Sequence, residues 1–242
     1  MSEQIDALRA MANYSRAMVV VAHPDDIEWG MAGTVARLTA AGKSVVYVLA
    51  TRGEAGSEDP NLTTEQVGDL RQSEEIAAAR EVGVETVEFL GFPDSQVYYG
   101  PDLRKSIARC MRRHKPEIVF TSNYAAHWPG GGLNHPDHRH VGEAAVDAIT
   151  DASLRSAFPD LVAEGLNAWR GCKLLLISGT EAPNAWVDIS PVIDKAVASL
   201  AAHKSYLAEL QLDAGEVARG RSSQLGQEHG VDYAESFSVH SL

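Results

Sequence analysis

His23-Pro24-Asp25-Asp26 stands directly after the apolar run Met18-Val19-Val20-Val21-Ala22, so it supplies an imidazole and two carboxylates where a buried strand would end. His23 and Asp26 are three residues apart across a turn containing Pro24. That spacing lets a ring nitrogen and a carboxylate oxygen converge on one ion, and Asp25 then need not be a ligand. Taken alone, the string also reads as a turn whose Asp caps the next helix. A second cluster, His135-Pro136-Asp137-His138, follows another apolar run that ends near Phe120, and four of the nine histidines (His127, His135, His138 and His140) fall within fourteen residues. His135 and His138, or His138 with its neighbours, complete a set of three N/O ligands. A catalytic zinc characteristically takes three protein ligands and leaves one position open, whereas structural sites are closed, usually by cysteine. The two cysteines, Cys110 and Cys172, form neither a disulfide framework nor a thiolate site and read as small buried hydrophobes. The expectation is a catalytic metal centre of hydrolase type.

Such residues need a scaffold that brings two distant segments to one place. Strand-like apolar stretches occur at 17–22, 44–50, 86–90, 117–121 and 173–178, with helical patterns between most of them, the alternation of an α/β fold with a mostly parallel sheet. Val45-Val46-Tyr47-Val48-Leu49 is apolar without alternation, which implies burial on both faces and hence a three-layer sandwich. Thr63 and Gln66 fit a capping box for a helix running to about Val82, stopped by Gly83. Residues 31–41, ended by Gly42, and 102–114, 139–150 and 191–210 read as further helices, the last with Ser190 as cap and Pro191 in its first turn. Gly53 to Leu62, Asn123 to Asn134 and Asp213 to Gly230 read as loops. The middle one carries Pro129-Gly130-Gly131-Gly132, suited to a lid or simply to turning the chain. In an open α/β sheet, ligands bind outside the carboxyl ends of strands, where a polar segment following Ala22 would lie.

The chain of 242 residues is long enough for one large domain, and a single domain over 1–242 is expected. With 21 basic and 33 acidic residues the formal charge is −12, which argues against nucleic-acid binding, because phosphate neutralisation needs clustered Lys and Arg. The basic run Arg109 to Lys115 reads as a last helical turn complementing the dipole. No run approaches a membrane span, and Met1-Ser2-Glu3-Gln4 does not lead into a signal peptide, so no membrane partner and a cytoplasmic location are expected. Val97, Tyr98, Tyr99 and Trp186 are candidates for a homo-oligomer interface.

The residues also resemble a known family, the zinc-dependent N-deacetylases called LmbE-like or PIG-L. The resemblance begins with Ala22-His23-Pro24-Asp25-Asp26 and continues through Gly33-Thr34, Thr51-Arg52-Gly53-Glu54-Ala55-Gly56, Leu70-Arg71 with Glu75, and Leu90-Gly91-Phe92-Pro93-Asp94. It resumes at His135-Pro136-Asp137-His138 and ends in Ala234-Glu235-Ser236-Phe237. It implies a Rossmann-like fold, zinc held by His23, Asp26 and His138, and Asp25 as general base. It further implies that His135 donates a hydrogen bond or proton, that Asp137 orients His135, and that Arg71 and Asp94 contact hydroxyls of an amino-sugar substrate. From the residues alone, Arg71 and Glu75, one helical turn apart, also read as a surface ion pair, and Glu28 and Glu54 as loop braces. The chain departs from the family in His203-Lys204-Ser205-Tyr206, where Tyr206 replaces a glutamine, and in the aromatic segment from Asn123 to Trp128. The activity implied is removal of an acetyl or similar acyl group from an N-acetylglucosamine-type substrate. Alternatives are cleavage of a larger thiol-sugar conjugate, a zinc that only braces loops, and a non-catalytic nucleotide-binding module using Gly30-Met31-Ala32-Gly33, which lacks the G-x-G-x-x-G pattern. Ligand sets of His and carboxylate also accept iron, cobalt or nickel.

Overall fold

Successive residues after Arg16 face opposite ways: Ala17, Val19 and Val21 enter one hydrophobic core, Met18, Val20 and Ala22 another. A strand buried on both faces needs a layer of helices on each side. A computed structural model describes residues 5–242. The expectation placed on Met1-Ser2-Glu3-Gln4 lies outside the described residues. In chain order the elements are β1 (Ile5–Asp6), α1 (Ala7–Met11), β2 (Arg16–Val21), α2 (Ala32–Ala40), β3 (Ser44–Leu49), α3 (Thr64–Glu81), β4 (Thr86–Phe89), α4 (Pro101–His114), β5 (Ile118–Ser122), α5 (Pro136–Ser153), α6 (Pro159–Ala163), β6 (Leu174–Ser178), β7 (Ala185–Asp188), α7 (Ile193–Ala201), α8 (Lys204–Leu210), α9 (Ala214–His229) and β8 (Ala234–Ser241).

The strands form one eight-stranded sheet in the order β1-β7-β8-β6-β5-β2-β3-β4. All pairs are parallel except those made by β8, which runs antiparallel to β6 and to β7. One face is covered by α1, α2 and α7, the other by α4 and α5. This is the expected α/β three-layer sandwich with a mostly parallel sheet. The chain moves outward from β2 to β3 and β4, then returns to lay β5 and β6 on the other side of β2. Such a reversal opens a crevice between the carboxyl ends of β2 and β5, and the two His-Pro-Asp segments follow those strands. No described helix is long and apolar enough to cross a membrane.

Several expectations are met at residue level. The Thr63 side chain accepts from Gln66 N–H at 3.2 Å while the Gln66 side chain accepts from Thr63 N–H at 2.8 Å, the reciprocal capping box. Cys110 and Cys172 are free and buried. In the basic run, Arg109 pairs with Glu164, and buried Arg112 donates to backbone carbonyls at the end of α5 and beyond, including Asp151, Ala152 and Leu154. The run therefore joins helices.

Other expectations are corrected. Residues 213–230, expected as a loop, form α9, capped by Asp213, whose side chain accepts from Glu216 N–H, and by Gly230 at φ +72°. Its glycines and serines hide the helical pattern. They serve close packing instead, because Ala214, Ala218, Ser222 and Gly226 form a buried stripe at fourfold spacing, and a Cβ on Gly226 would lie 2.6 Å from the carbonyl oxygens of Val231 and Asp232. The expected helix over 191–210 is broken. Ser190–Val192 is a 3₁₀ turn, and α7 ends before His203, which turns into the interior with no exposed surface. The strands β1, β7 and β8 are too short or too polar to stand out in the sequence.

Candidate active site and its relatives

The turn after β2 is held by Asp26: its Oδ2 accepts from the backbone N–H groups of Ala22 (3.0 Å) and His23 (2.9 Å), which leaves Oδ1 facing the cleft. Across the crevice, α5 begins at Pro136 with His135 as its cap, so the second cluster is the helix N-terminus itself and starts earlier than expected. His138, in the first turn, brings Nε2 to 2.9 Å from Asp26 Oδ1 and to 3.1 Å from His23 Nδ1. His23, Asp26 and His138 thus converge from segments 115 residues apart.

The ring tautomers follow from the outer hydrogen bonds. His23 Nε2 lies 3.1 Å from Asp94 Oδ1 and 3.3 Å from Asp137 Oδ2, so it carries the proton and leaves the Nδ1 lone pair inward. His138 Nδ1 meets the Asn134 side-chain oxygen at 3.0 Å, and that amide is oriented by donating to the carbonyls of Asn123 and Ala125. His138 therefore also turns a lone pair inward. Two lone pairs and a carboxylate oxygen facing one another within 4.8 Å repel unless a cation lies among them, and the donor set suits a divalent transition metal. The surrounding carboxylates favour positive charge at this point, either a second proton on the His23 ring or a cation among the donors. Burial disfavours an imidazolium at His23, yet hydrogen bonds to Asp137, Asp26 and Asp94 outweigh it and raise its pKa well above the usual histidine range. Burial would raise Asp26, but His138 and His23 pull it well below the carboxylate range.

Asp25 is outside this converging group and buried. Its backbone has φ +94°, a conformation costing an L-residue on the order of 1–3 kcal/mol that the surroundings must offset. Oδ1 accepts from Arg71 Nη2 at 2.8 Å, and Oδ2 accepts from Trp29 Nε1 at 2.9 Å. Burial raises its pKa above the usual aspartate value, with the Asp26 charge adding to the rise and the Arg71 charge opposing it. His135 Nδ1 accepts from the backbone N–H of Asp137 at 3.2 Å, which puts the ring proton on Nε2; burial and the neighbouring His23 lower its pKa.

Arg71, Asp94, His135 and the three converging residues all line one cleft of about 670 Å³. Two expected pairings are redrawn, and Asp94 gains a bracing contact in addition to facing the cleft. The Asp137 carboxylate, expected on His135, hydrogen-bonds instead to His23 and to Ser95 N–H (2.8 Å), because helix geometry turns it toward the β2 side. Arg71 and Glu75 are not a surface pair, since both are buried and both engage Asp25. Asp94 spends one oxygen on His23 and the other on Ala55 N–H, and its pKa falls to about 2: burial opposes this, and the hydrogen bond and charge of His23 outweigh it. Glu54 braces the loop through Arg52 N–H and Asp94 N–H.

Sequence reasoning missed Trp29 and the inward role of His203, and it singled out Trp128 and Glu235 only as parts of an aromatic segment and of the family-resembling tail. Trp128 packs at 5.6 Å from the His138 ring, in a loop closed on itself by Asn123 and Asn134. Glu235 accepts from Gly33 N–H (2.9 Å) and Thr34 N–H (2.7 Å), so the helix N-terminus that a nucleotide phosphate would need is already filled by a carboxylate. In the sequence these residues stand out only as the family-resembling pieces Gly33-Thr34 and Ala234-Glu235, and the 202-residue separation hides their contact.

A family model described as "PIG-L: GlcNAc-PI de-N-acetylase" matches residues 18–149. The chain is 30% identical over 194 residues to the diacetylchitobiose deacetylase of Thermococcus kodakarensis, a match covering 80% of this chain and 71% of the relative. It is 30% identical over 211 residues to the 1D-myo-inositol 2-acetamido-2-deoxy-alpha-D-glucopyranoside deacetylase of Kineococcus radiotolerans, covering 74% of this chain and 56% of that one. Among solved structures it superposes on the N,N'-diacetylchitobiose deacetylase of Pyrococcus horikoshii with a TM-score of 0.86 at 25% identity, covering 97% of this chain and 87% of that chain. The matched span runs from β2 through α5, takes in more than half the chain and contains both His-Pro-Asp segments, and the protein therefore belongs to the PIG-L (LmbE-like) deacetylase family.

Proposed function

We propose that the protein is an N-deacetylase that hydrolyses the acyl amide of an N-acetylglucosamine-type substrate in a single domain, with a divalent metal, zinc foremost, held by His23, Asp26 and His138. The observation that carries this reading is the convergence of His23 Nδ1, His138 Nε2 and Asp26 Oδ1 beside a buried aspartate that ligates nothing. When bound, the metal supplies Lewis acidity, polarising the acyl carbonyl and acidifying water. Asp25 takes the proton of the attacking water. Its raised pKa suits a base that must afterwards hold that proton. His135, neutral and protonated on Nε2, donates a hydrogen bond to the developing oxyanion. A neutral imidazole is a poor proton donor, so the proton that the leaving amine requires is the one Asp25 carries.

Asp137 and Asp94 keep the His23 ring in the tautomer that presents Nδ1, and Arg71 and Trp29 fix the Asp25 carboxylate. The sugar is read by groups facing the cleft, among them Asp94, Ser95 and the unused edge of Arg71. Trp128 on one wall and Tyr206, whose ring lies 4.7 Å from the Arg71 guanidinium, on the other shape the space for the acyl group and aglycone. Metal analysis of the purified protein coupled to an amine-release assay over N-acylated amino sugars, from simple N-acetyl sugars to bulky conjugates, tests the reading. Stoichiometric metal with amine release on at least one N-acetyl amino sugar is expected; metal-free protein, or no release across the panel, would overturn it.

A further inference from the structure

Glu75, on α3, has no exposed surface, and its carboxylate makes a contact that the reaction scheme leaves unexplained: Oε2 accepts the backbone N–H of Asp25 at 3.1 Å. Asp25 occupies the left-handed region at φ +94°, which an L-residue keeps only when its surroundings over-determine it. A swing to negative φ would carry the carboxylate away from Arg71 and Trp29, so the acceptor under its N–H helps decide where the carboxylate stands. Glu75 is itself held from behind. His203 Nε2 lies 3.7 Å from Glu75 Oε2 and 3.3 Å from Glu28 Oε2, and Ser199 Oγ donates to Glu28 Oε1 at 2.6 Å. The break between α7 and α8 is what lets His203 reach this cluster. The preceding α3 residue, Glu74, secures the same joint by accepting from both the backbone N–H and the hydroxyl of Ser205 at 2.7 Å.

We propose that Glu75, backed by His203 and Glu28, is a positioning residue that fixes Asp25 in its left-handed backbone conformation and thereby keeps its carboxylate between Arg71 and Trp29. The proposal rests on the reading of Asp25 as the base. It accounts for the otherwise unused His203 element and for a carboxylate buried away from the cleft.

The test compares Glu75→Gln, which retains an oxygen acceptor, with Glu75→Ala and Glu75→Leu, which do not, all in the metal-loaded full chain. The amide proton resonance of Asp25 is expected to move upfield in Glu75→Ala and Glu75→Leu and to stay near the wild-type position in Glu75→Gln. In parallel, kcat is expected to fall on the order of 10–100-fold in the two apolar variants, with KM and bound metal unchanged, and to recover most of that loss in Glu75→Gln, since displacement of a reacting group by about 1 Å can cost on the order of 10² in rate. If Glu75→Ala does not fold, Glu75→Leu fills the space and carries the same expectation. An unmoved Asp25 amide in Glu75→Leu, an equal loss in Glu75→Gln, or an effect on KM alone would overturn the proposal. Because the amide resonance reads the backbone directly, a chain that deacetylated nothing would sink the proposed reaction and leave this measurement standing.

Discussion

At the scale of single residues, the proposed reaction gives metal ligation and proton transfer to two neighbours whose surroundings differ. Asp26 is locked by two backbone amides and drawn down by two imidazoles, whereas Asp25, one residue earlier, is pushed up by burial. Asp25→Asn is expected to retain metal and lose turnover by on the order of 10²–10⁴-fold, the usual span for a general base, as read by amine release alongside metal analysis. His23→Ala removes one of the three converging donors and should leave the purified protein metal-poor; full occupancy would take His23 out of the proposed ligand set. The pH profile follows from the same environment. As the proposed base, Asp25 would work only when ionised, and its pKa is raised, so kcat should drop on the acid side at a pH above the ordinary aspartate value of 3.8. Asp25→Asn should abolish that limb.

At the scale of elements, the joint between α7 and α8 couples a buried charge cluster to stability. Burial disfavours the His203 imidazolium, but Glu28 and Glu75 outweigh it and raise its pKa from 6.5 to about 9. The sign follows from the two states: the folded pKa exceeds the unfolded one, so the stabilisation is complete below pH 6.5 and is lost as pH rises through about 9. Tm should therefore decline over that window, and His203→Gln should flatten the decline, a change of roughly 2–4 °C for each kcal/mol in a chain of this size. A Tm that stays level from neutral pH to about 9 in the wild type would contradict this account. The helix α9 makes a separate prediction. Gly226→Val places a side chain against backbone carbonyls 2.6 Å away, and overpacking of this kind costs typically about 1–3 kcal/mol, measurable by urea denaturation. Because Val217, Ala218 and Leu225 of α9 also line the cleft, KM should rise with it.

At the scale of the whole molecule, the reversal of strand order at β2 gathers the site and the late chain secures it. Glu235, at the start of β8, accepts from two backbone amides and the Thr34 hydroxyl at the head of α2, the helix that follows the His23 turn. Glu235→Ala should cost about 1–3 kcal/mol for each buried donor left unpaired, visible as a lowered urea midpoint. It should also loosen metal binding at the proposed site, because β8 and the helix after the His23 turn share this anchor. A variant with wild-type midpoint and metal affinity would show that the anchor is dispensable.

The sequence by itself determined the parallel core strands, the capping box at Thr63 and the two His-Pro-Asp segments that converge, because each is written in contiguous residues: apolar runs, a reciprocal four-residue pattern, and imidazole beside carboxylate. It also marked the strand exits as the place for chemistry. It could not separate the carboxylate that joins the two converging imidazoles from those that brace them. Asp94 and Asp137 are indistinguishable in type from Asp26, and only the folded geometry turns them onto the outer nitrogen of His23. Nor could it show that Arg71 and Glu75 face inward, that the Gly- and Ser-rich segment after Asp213 is a helix, or that His203 breaks a helix to enter the interior. Those features depend on packing between segments remote in the chain, where the closeness of neighbours rather than local propensity decides which conformation is stable.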